Sequence, residues 1–150
     1  MTDFALRPAT KDDLELTYEI TRDAMRPYVE ATWGEWNEED QLLKHQANFE
    51  PSTTRLVLVG GKEAGLLSTE HEPQFLRLVK LYLLATFRNQ GLGSKLLGIV
   101  VSEADEVQKP VRLRVLRENM SAKRFYLRHG FAVVGEEPER YFMVRSRGEA

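Results

Sequence analysis

The sequence predicts a single α/β domain, on three observations. Apolar residues alternate between strand spacing and helix spacing in the order βααβββαβαββ. One passage joins an apolar strand, Leu76 to Leu84, through a glycine-bearing turn to a helix that begins near Leu92. The chain has 150 residues, a net charge of -2 and 42% hydrophobic residues, which suits one globular domain with a real core. No repeat, low-complexity tract or linker divides it, so residues 1–150 read as one domain.

Each element has its own signal. Phe4 to Arg7 reads as a short strand stopped by Pro8. Thr10 precedes Lys11-Asp12-Asp13 in the manner of a capping box, and Leu14, Tyr18 and Met25 fall on one face of a first helix that Pro27 is expected to break. Tyr28 to Trp36 is then an aromatic connection, and Asn37 caps a second helix reaching about Asn48. Trp33 and Trp36 are expected to roof the core, with ligand contact as the other option. Arg55–Val59 and Glu63–Ser68 form a hairpin turned at Gly60-Gly61, and Glu70-His71-Glu72-Pro73 ends its second strand. The central strand follows at Phe75–Leu84. A third helix over about Leu92–Ala104 shows Leu92, Leu96, Leu97 and Val100 at helical spacing. In a fifth strand Val111, Leu113 and Val115 alternate with Arg112 and Arg114. A last helix follows Asn119 and ends at Gly130-Phe131, as a left-handed cap with its hydrophobic contact requires. A final hairpin pairs Ala132–Gly135 with Tyr141–Arg145.

The turn Arg88-Asn89-Gln90-Gly91-Leu92-Gly93-Ser94 carries the chemistry. Two glycines let the backbone pass close to a ligand, and the helix that follows points free N–H groups and its positive dipole end at that place, a seat for phosphate. A tight strand-to-helix connection without any ligand explains a lone glycine turn as well. Neither a dinucleotide fingerprint nor a Walker A loop fits, because Leu96 stands where a third glycine belongs and no glycine precedes Gly91 at the required spacing. Arg-x-x-Gly-x-Gly after an apolar strand resembles the pyrophosphate loop of the GNAT superfamily of acyl-CoA-dependent N-acyltransferases. A second motif, Asn-x-x-Ala-x-x-x-Tyr-x-x-x-Gly-Phe, occurs at Asn119, Ala122, Tyr126, Gly130 and Phe131. It resembles the second signature of the same family, and the order of elements is similar throughout. Ala85, where many members carry proline, is a departure confined to the turn.

The resemblance implies a mostly antiparallel mixed sheet with splayed fourth and fifth strands and helices on both faces. It implies an N-acetyltransferase that moves an acetyl group from acetyl-CoA to a primary amine by direct attack in a ternary complex. Backbone groups of Leu81, Tyr82 and Leu83 would pair with the pantetheine arm and polarise the thioester carbonyl. The amides of Arg88, Asn89, Gln90, Gly91, Leu92, Gly93 and Ser94 would hold the pyrophosphate, and Asn119 would cap its helix, meet pantetheine, or do both. Tyr126 is the implied general acid: a phenol with an ordinary pKa of about 10 can protonate a thiolate whose acid lies at about 8.5 without ionising itself at neutral pH. Packing beside Phe125 is its structural alternative. Glu70, His71 and Glu72 stand where several members place a carboxylate base; a solvated turn explains most of them, and Glu70 and Glu72 are kept as candidate bases. His129 reads as an ordinary last-turn residue with no catalytic part.

The acceptor is open. Tyr28, Trp33, Lys80, Arg112 and Arg114 are candidates for its pocket. Arg112 and Arg114 share one face of the fifth strand, and Lys80 and Tyr82 share one face of the central strand. Cations lining a cleft would favour an amine that carries a carboxylate. Glu30, Glu35, Glu70 and Glu72 would instead favour a cationic acceptor, and wholly solvated charges would select nothing. The acceptor therefore stands as a small amine metabolite, an amino acid or a peptide amine. The absence of cysteine excludes disulfides, thiolate zinc sites and a cysteine nucleophile, and His45, His71 and His129 lack metal-ligand spacing, so no metal is expected. Near-neutral charge argues against a nucleic-acid partner, although Arg112, Arg114, Arg117, Lys123, Arg124 and Arg128 make a local basic cluster. With no run of about 18 apolar residues and no signal-peptide pattern at Met1-Thr2-Asp3-Phe4, a cytoplasmic protein without a membrane partner is expected. A homodimer is open to it, and a non-catalytic acyl-CoA-binding sensor or regulatory module is the alternative function.

Overall fold

The computed structural model describes residues 3–146. Met1 and Thr2, part of the stretch read for a signal pattern, lie outside the described residues. The elements are β1 (Ala5–Pro8), α1 (Leu14–Trp33), α2 (Glu38–Asn48), β2 (Thr54–Val59), β3 (Lys62–His71), β4 (Leu76–Leu83), α3 (Leu92–Glu106), β5 (Val111–Leu116), α4 (Met120–Arg128), β6 (Ala132–Glu136) and β7 (Arg140–Arg145). The strands follow one another in the sheet as β1-β2-β3-β4-β5-β7-β6. The pairs β1–β2, β2–β3, β5–β7 and β6–β7 are antiparallel. The parallel pair β4–β5 is in register only at Leu76↔Val111 and Arg77↔Arg112. No helix among the described residues is long and apolar enough to cross a membrane. The residues gather into two compact units, the first running to Ser68 and including Lys80–Gly93, the second comprising Thr69–Val79 and the chain from Ser94 onward.

In the first unit the entry to α1 is fixed by charge. Thr10 and Asp13 form the expected capping box around a 3-10 turn at Lys11–Asp13. The Arg7 guanidinium grips Asp13 with two hydrogen bonds of 2.8 and 3.0 Å, which holds that carboxyl down at about 2. Pro27 does not break α1, which runs on to Trp33. Proline removes one intrahelical N–H, and the carbonyl it orphans, that of Asp23, belongs to a surface turn where Pro27 and Asp23 are both exposed to water. The aromatic connection therefore shrinks to Gly34–Asn37. Its two tryptophans part company: Trp36 is 5% exposed and donates its indole N–H to the Tyr18 hydroxyl, whereas Trp33 is 52% exposed. Asn37 caps α2 through Asp40 as expected. Pro8 does not stop β1 but ends it within the sheet, which an edge strand permits. Gly60 and Gly61, at φ 58° and 79°, make the hairpin turn between β2 and β3.

The core of this unit contains Ala9, Ile20, Leu56 and Leu66, with Leu16, Phe49, Tyr82 and Leu84 packed against it. Gly65 of β3 lies against the β4 backbone so closely that a Cβ would run into the Tyr82 carbonyl oxygen. Gly65→Ala should therefore destabilise the protein by at least about 1–3 kcal/mol, the range for an overpacked interior site, and lower the urea midpoint accordingly. A midpoint equal to the parent's would show that β3 and β4 can move apart freely.

His45 is a buried polar member of the same unit. Its Nε2 lies 2.9 Å from the Thr17 hydroxyl, and that hydroxyl donates its proton to the Asp13 carbonyl at 2.8 Å, so the ring nitrogen is the donor between them. The ring stacks on Phe49 at 5.5 Å between centroids. Burial, followed by the charge of Lys80, pushes its pKa from 6.5 down to about 4. Below pH 6.5 the unfolded chain binds a proton that the folded chain refuses, so stability falls as pH drops from 6.5 towards 4. The loss should be on the order of 2 kcal/mol. Unfolding curves of the parent and His45→Gln at pH 7 and pH ~4.5 should show the larger acid loss in the parent; equal losses would mean the ring can be protonated in place.

In the second unit β5 buries Val111, Leu113 and Val115 and exposes Arg112 and Arg114, as the alternation predicts, with Leu116 also buried. α3 buries Leu96, Leu97, Val100 and Ala104. α4 packs against β5. Val134, the extra residue at a register shift in the edge strand β6, is exposed.

Candidate active site

The glycine turn is built from the end of β4. A 3-10 turn at Ala85–Phe87 follows Leu84, beginning at the alanine that stands where proline was noted as usual. Arg88 then clamps the turn: its Nε donates to the Leu83 carbonyl at 2.8 Å and its NH2 to Asp23 of α1 at 3.1 Å. Its own amide bonds back to Ala85 at 3.2 Å, so Arg88 serves as the anchor of the turn rather than one of its free donors. Asn89 and Gly91 both have left-handed backbones, φ 61° and 79°. Asparagine tolerates this region and glycine favours it, and such residues curl the chain so that neighbouring amides converge as an anion nest. A Cβ on Gly91 would meet nothing within 4 Å, so the space beside the turn is open. α3 starts at Leu92, and the amides of its first turn have no carbonyl four residues earlier within the helix. These features fit an anionic group such as a pyrophosphate.

On β4 itself Lys80, Leu81, Tyr82 and Leu83 are all half-buried. Burial pushes the Tyr82 phenol up to about 12, which keeps it neutral, and pushes the Lys80 ammonium down. Tyr28 lies half-buried on α1, and Trp33 is the last residue of that helix. Both aromatic candidates thus sit on a helix and not on a loop.

Tyr126 belongs to the second unit. Asn119 caps its helix by accepting from the Ala122 amide at 3.1 Å, which engages the side-chain oxygen and leaves the amide nitrogen for another partner. The helix closes with a complete Schellman cap. Phe131 donates its amide to the Tyr126 carbonyl at 3.1 Å, Gly130 donates to Leu127 at 3.3 Å, and Gly130 takes φ 88°. The Tyr126 ring meets Phe131 and Phe125 edge-on at 5.4 and 5.3 Å and the residue is 9% exposed. The Gly-Phe pair of the motif therefore acts on Tyr126 twice, through its carbonyl and through its ring.

His129, read as an ordinary last-turn residue, proves to be a bridge. Its Nδ1 lies 2.8 Å from the Phe125 carbonyl and must donate, so in the neutral ring Nε2 accepts from the Ser94 hydroxyl 3.0 Å away. The residue that ends the Tyr126 helix thus holds the last residue of the glycine turn, a link 35 positions long. Glu70 and Glu72 both face Arg77, at 3.7 and 3.9 Å, so neither candidate base is free of a counter-ion. Arg112 lies over the Phe75 ring at 4.6 Å. Of the basic cluster, Arg117 and Lys123 both lie over Tyr141, and Arg117 also pairs with Glu136 at 3.1 Å.

A family model described as an acetyltransferase (GNAT) domain matches residues 17–143. No match is found among curated protein sequences. Among solved structures, the chain is similar to PaiA N-acetyltransferase from Thermoplasma acidophilum in complex with coenzyme A, with a TM-score of 0.75, 18% identity, and 96% of this chain and 99% of that one covered. It is similar to an acetyltransferase from Thermus thermophilus, with a TM-score of 0.76, 23% identity, and coverage of 97% and 99%. It is also similar to the ribosomal-protein-S18-alanine N-acetyltransferase from Escherichia coli, with a TM-score of 0.72, 18% identity, and coverage of 99% and 96%. With its glycine turn, its capped tyrosine helix and a family match over most of its length, the chain belongs to the GNAT acetyltransferase family.

Proposed function

We propose that the protein transfers an acetyl group from acetyl-CoA to a primary amine by direct attack in a ternary complex. The observation that carries the reading is the open, left-handed glycine turn at the start of α3, and a tyrosine held by a full Schellman cap in the second unit supports it. A structural neighbour crystallised with coenzyme A supports the choice of donor. The acceptor is a small-molecule or peptide amine; a neighbour named for alanine acetylation of a ribosomal protein makes a peptide amine a reasonable member of that class.

Acetyl-CoA supplies an acyl group activated as a thioester. The amides from Asn89 to Ser94 bind the pyrophosphate, aided by the positive end of α3. Backbone groups of Leu81–Leu83 align the pantetheine arm, and one N–H there donates to the carbonyl oxygen as it gains charge. The neutral amine forms the new C–N bond, the C–S bond breaks, and Tyr126 gives its proton to the departing sulfur; the proton shed by the amine nitrogen returns to the Tyr126 phenolate through water, which restores the phenol. Glu70 and Glu72 are assigned no step, because both already share Arg77 as a counter-ion.

Incubation with acetyl-CoA and a broad amine panel should release free thiol and acetylated amine together. Tight coenzyme A binding without thiol release over the whole panel would point instead to a sensor module. Tyr126→Phe keeps the ring packing and loses the proton, so turnover should fall about 100-fold or more while coenzyme A binding persists. An unchanged rate, with chemistry limiting, would reassign Tyr126 to packing.

Gly91→Val places a β-branched residue at φ 79°. Its cost falls on the turn, so coenzyme A affinity should drop at least about 10-fold, as expected for 1–3 kcal/mol of backbone strain, before global stability changes much. Calorimetric titration checks the first and thermal unfolding the second; parental affinity in a folded variant would remove the turn from the phosphate site.

A further inference from the structure

Lys80 is a half-buried cation with no anion. Among the described residues no carboxylate lies within ion-pair distance of it, although the first unit has acids to spare by sequence. Several of those acids are engaged elsewhere: Asp13 with Arg7, Asp23 with Arg88, Glu38 with Arg22 and Glu30 with Arg26. The neighbours Lys80 does have are neutral. Its Nζ stands 6.0 Å from the centre of the Tyr82 ring, whose phenol stays protonated. The charge of Lys80 is felt by His45, which is itself buried and uncharged at neutral pH.

An ammonium drawn partly out of water without a partner is costly, and a fold that needed only volume there would do better with leucine or methionine. The position also matters. Lys80 immediately precedes Leu81, whose backbone the proposed function puts at the thioester, so the cation rises from the strand that would present the acyl group. From this juxtaposition we infer that Lys80 is the counter-ion for the acceptor, which is a primary amine bearing a carboxylate. The inference rests on the acetyltransferase reading for the word acceptor, but the anion seat itself does not. One ammonium among neutral side chains balances a single negative charge, which favours a carboxylate over a phosphate dianion. Arg112 and Arg114 differ from Lys80 in being exposed, with their charge already hydrated.

The test uses the whole protein with lysine side chains labelled at 13Cε, the Lys80 signal being identified by its loss in Lys80→Met. A pool of L-amino acids and a matched pool of their amides are titrated in turn, with and without coenzyme A, and both pools are assayed for acetyl transfer. The amino acids should move the Lys80 signal saturably and the amides should not. The preference for acid over amide in kcat/KM should fall about 10-fold or more in Lys80→Met, mainly through KM, the loss of one charge-assisted hydrogen bond. Lys80→Arg should keep the preference. A Lys80 signal unmoved by carboxylates overturns the inference, as does transfer to amides as efficient as to acids. An acetyl group mapped to Lys80 itself would also overturn it, by making the residue a nucleophile. A saturable carboxylate response without transfer to any amine would uphold the anion seat and remove the acetyltransferase reading. Transfer without acid preference would do the reverse.

Discussion

The Arg88 guanidinium is the constraint on which the glycine turn depends. One nitrogen donates to the last carbonyl of β4 and another to Asp23, 65 residues away in sequence on α1. As an exposed ion pair its contribution to stability is about 0–1 kcal/mol. Its geometric effect is larger, because a planar fork with two fixed partners determines where the chain leaves the strand. The left-handed residues Asn89 and Gly91 follow at once, so the direction of their amides is set by an anchor one to three residues upstream. An arginine in a phosphate-binding turn is easily taken for a phosphate ligand. Here its side chain is bound to the scaffold, at the Leu83 carbonyl and the Asp23 carboxylate.

The helix of Tyr126 is governed by the same logic from its other end. Nine residues are too few to be stable alone, and this helix is closed by Asn119 at one end and a Schellman cap at the other. The cap takes its first acceptor from Tyr126 and its hydrophobic partner from the same residue. A glycine and a phenylalanine thus orient the candidate acid. His129 extends the arrangement to Ser94 of α3 through one hydrogen bond. Its neutral tautomer is dictated by the Phe125 carbonyl, which leaves the Ser94 proton directed at the imidazole.

Many arginines of this protein are paired with acids, whereas among the described residues the half-buried Lys80 is not. Arg7, Arg22, Arg26, Arg77, Arg88, Arg117 and Arg145 each have a carboxylate within 4.0 Å. Most of these pairs are partly exposed and contribute little individually. The acids so engaged are not partners of Lys80, which is half-buried.

Local signals in the sequence were sufficient wherever a residue's role is decided within a few positions of itself. The order of elements, the Thr10 and Asn37 caps, the Gly60-Gly61 turn, the alternation on β5 and the Gly130-Phe131 stop all belong to this class, since capping, turn and periodicity act over one helical turn or one strand. Two short motifs located the candidate site for the same reason. What required the tertiary structure was every contact made over a long separation. The course of α1 through Pro27 is not legible locally, because a proline's fate depends on whether the orphaned carbonyl meets water, which only packing determines. Trp33 and Trp36 could not be told apart until Tyr18 supplied a partner for one indole. Arg88 as an anchor, His129 as a bridge and Lys80 as an unpaired charge are all statements about neighbours 35 to 65 positions away or about their absence. Periodicity carries no information about such neighbours, because hydrogen bonds and ion pairs form between side chains that the sheet and helices bring together after the local pattern has done its part.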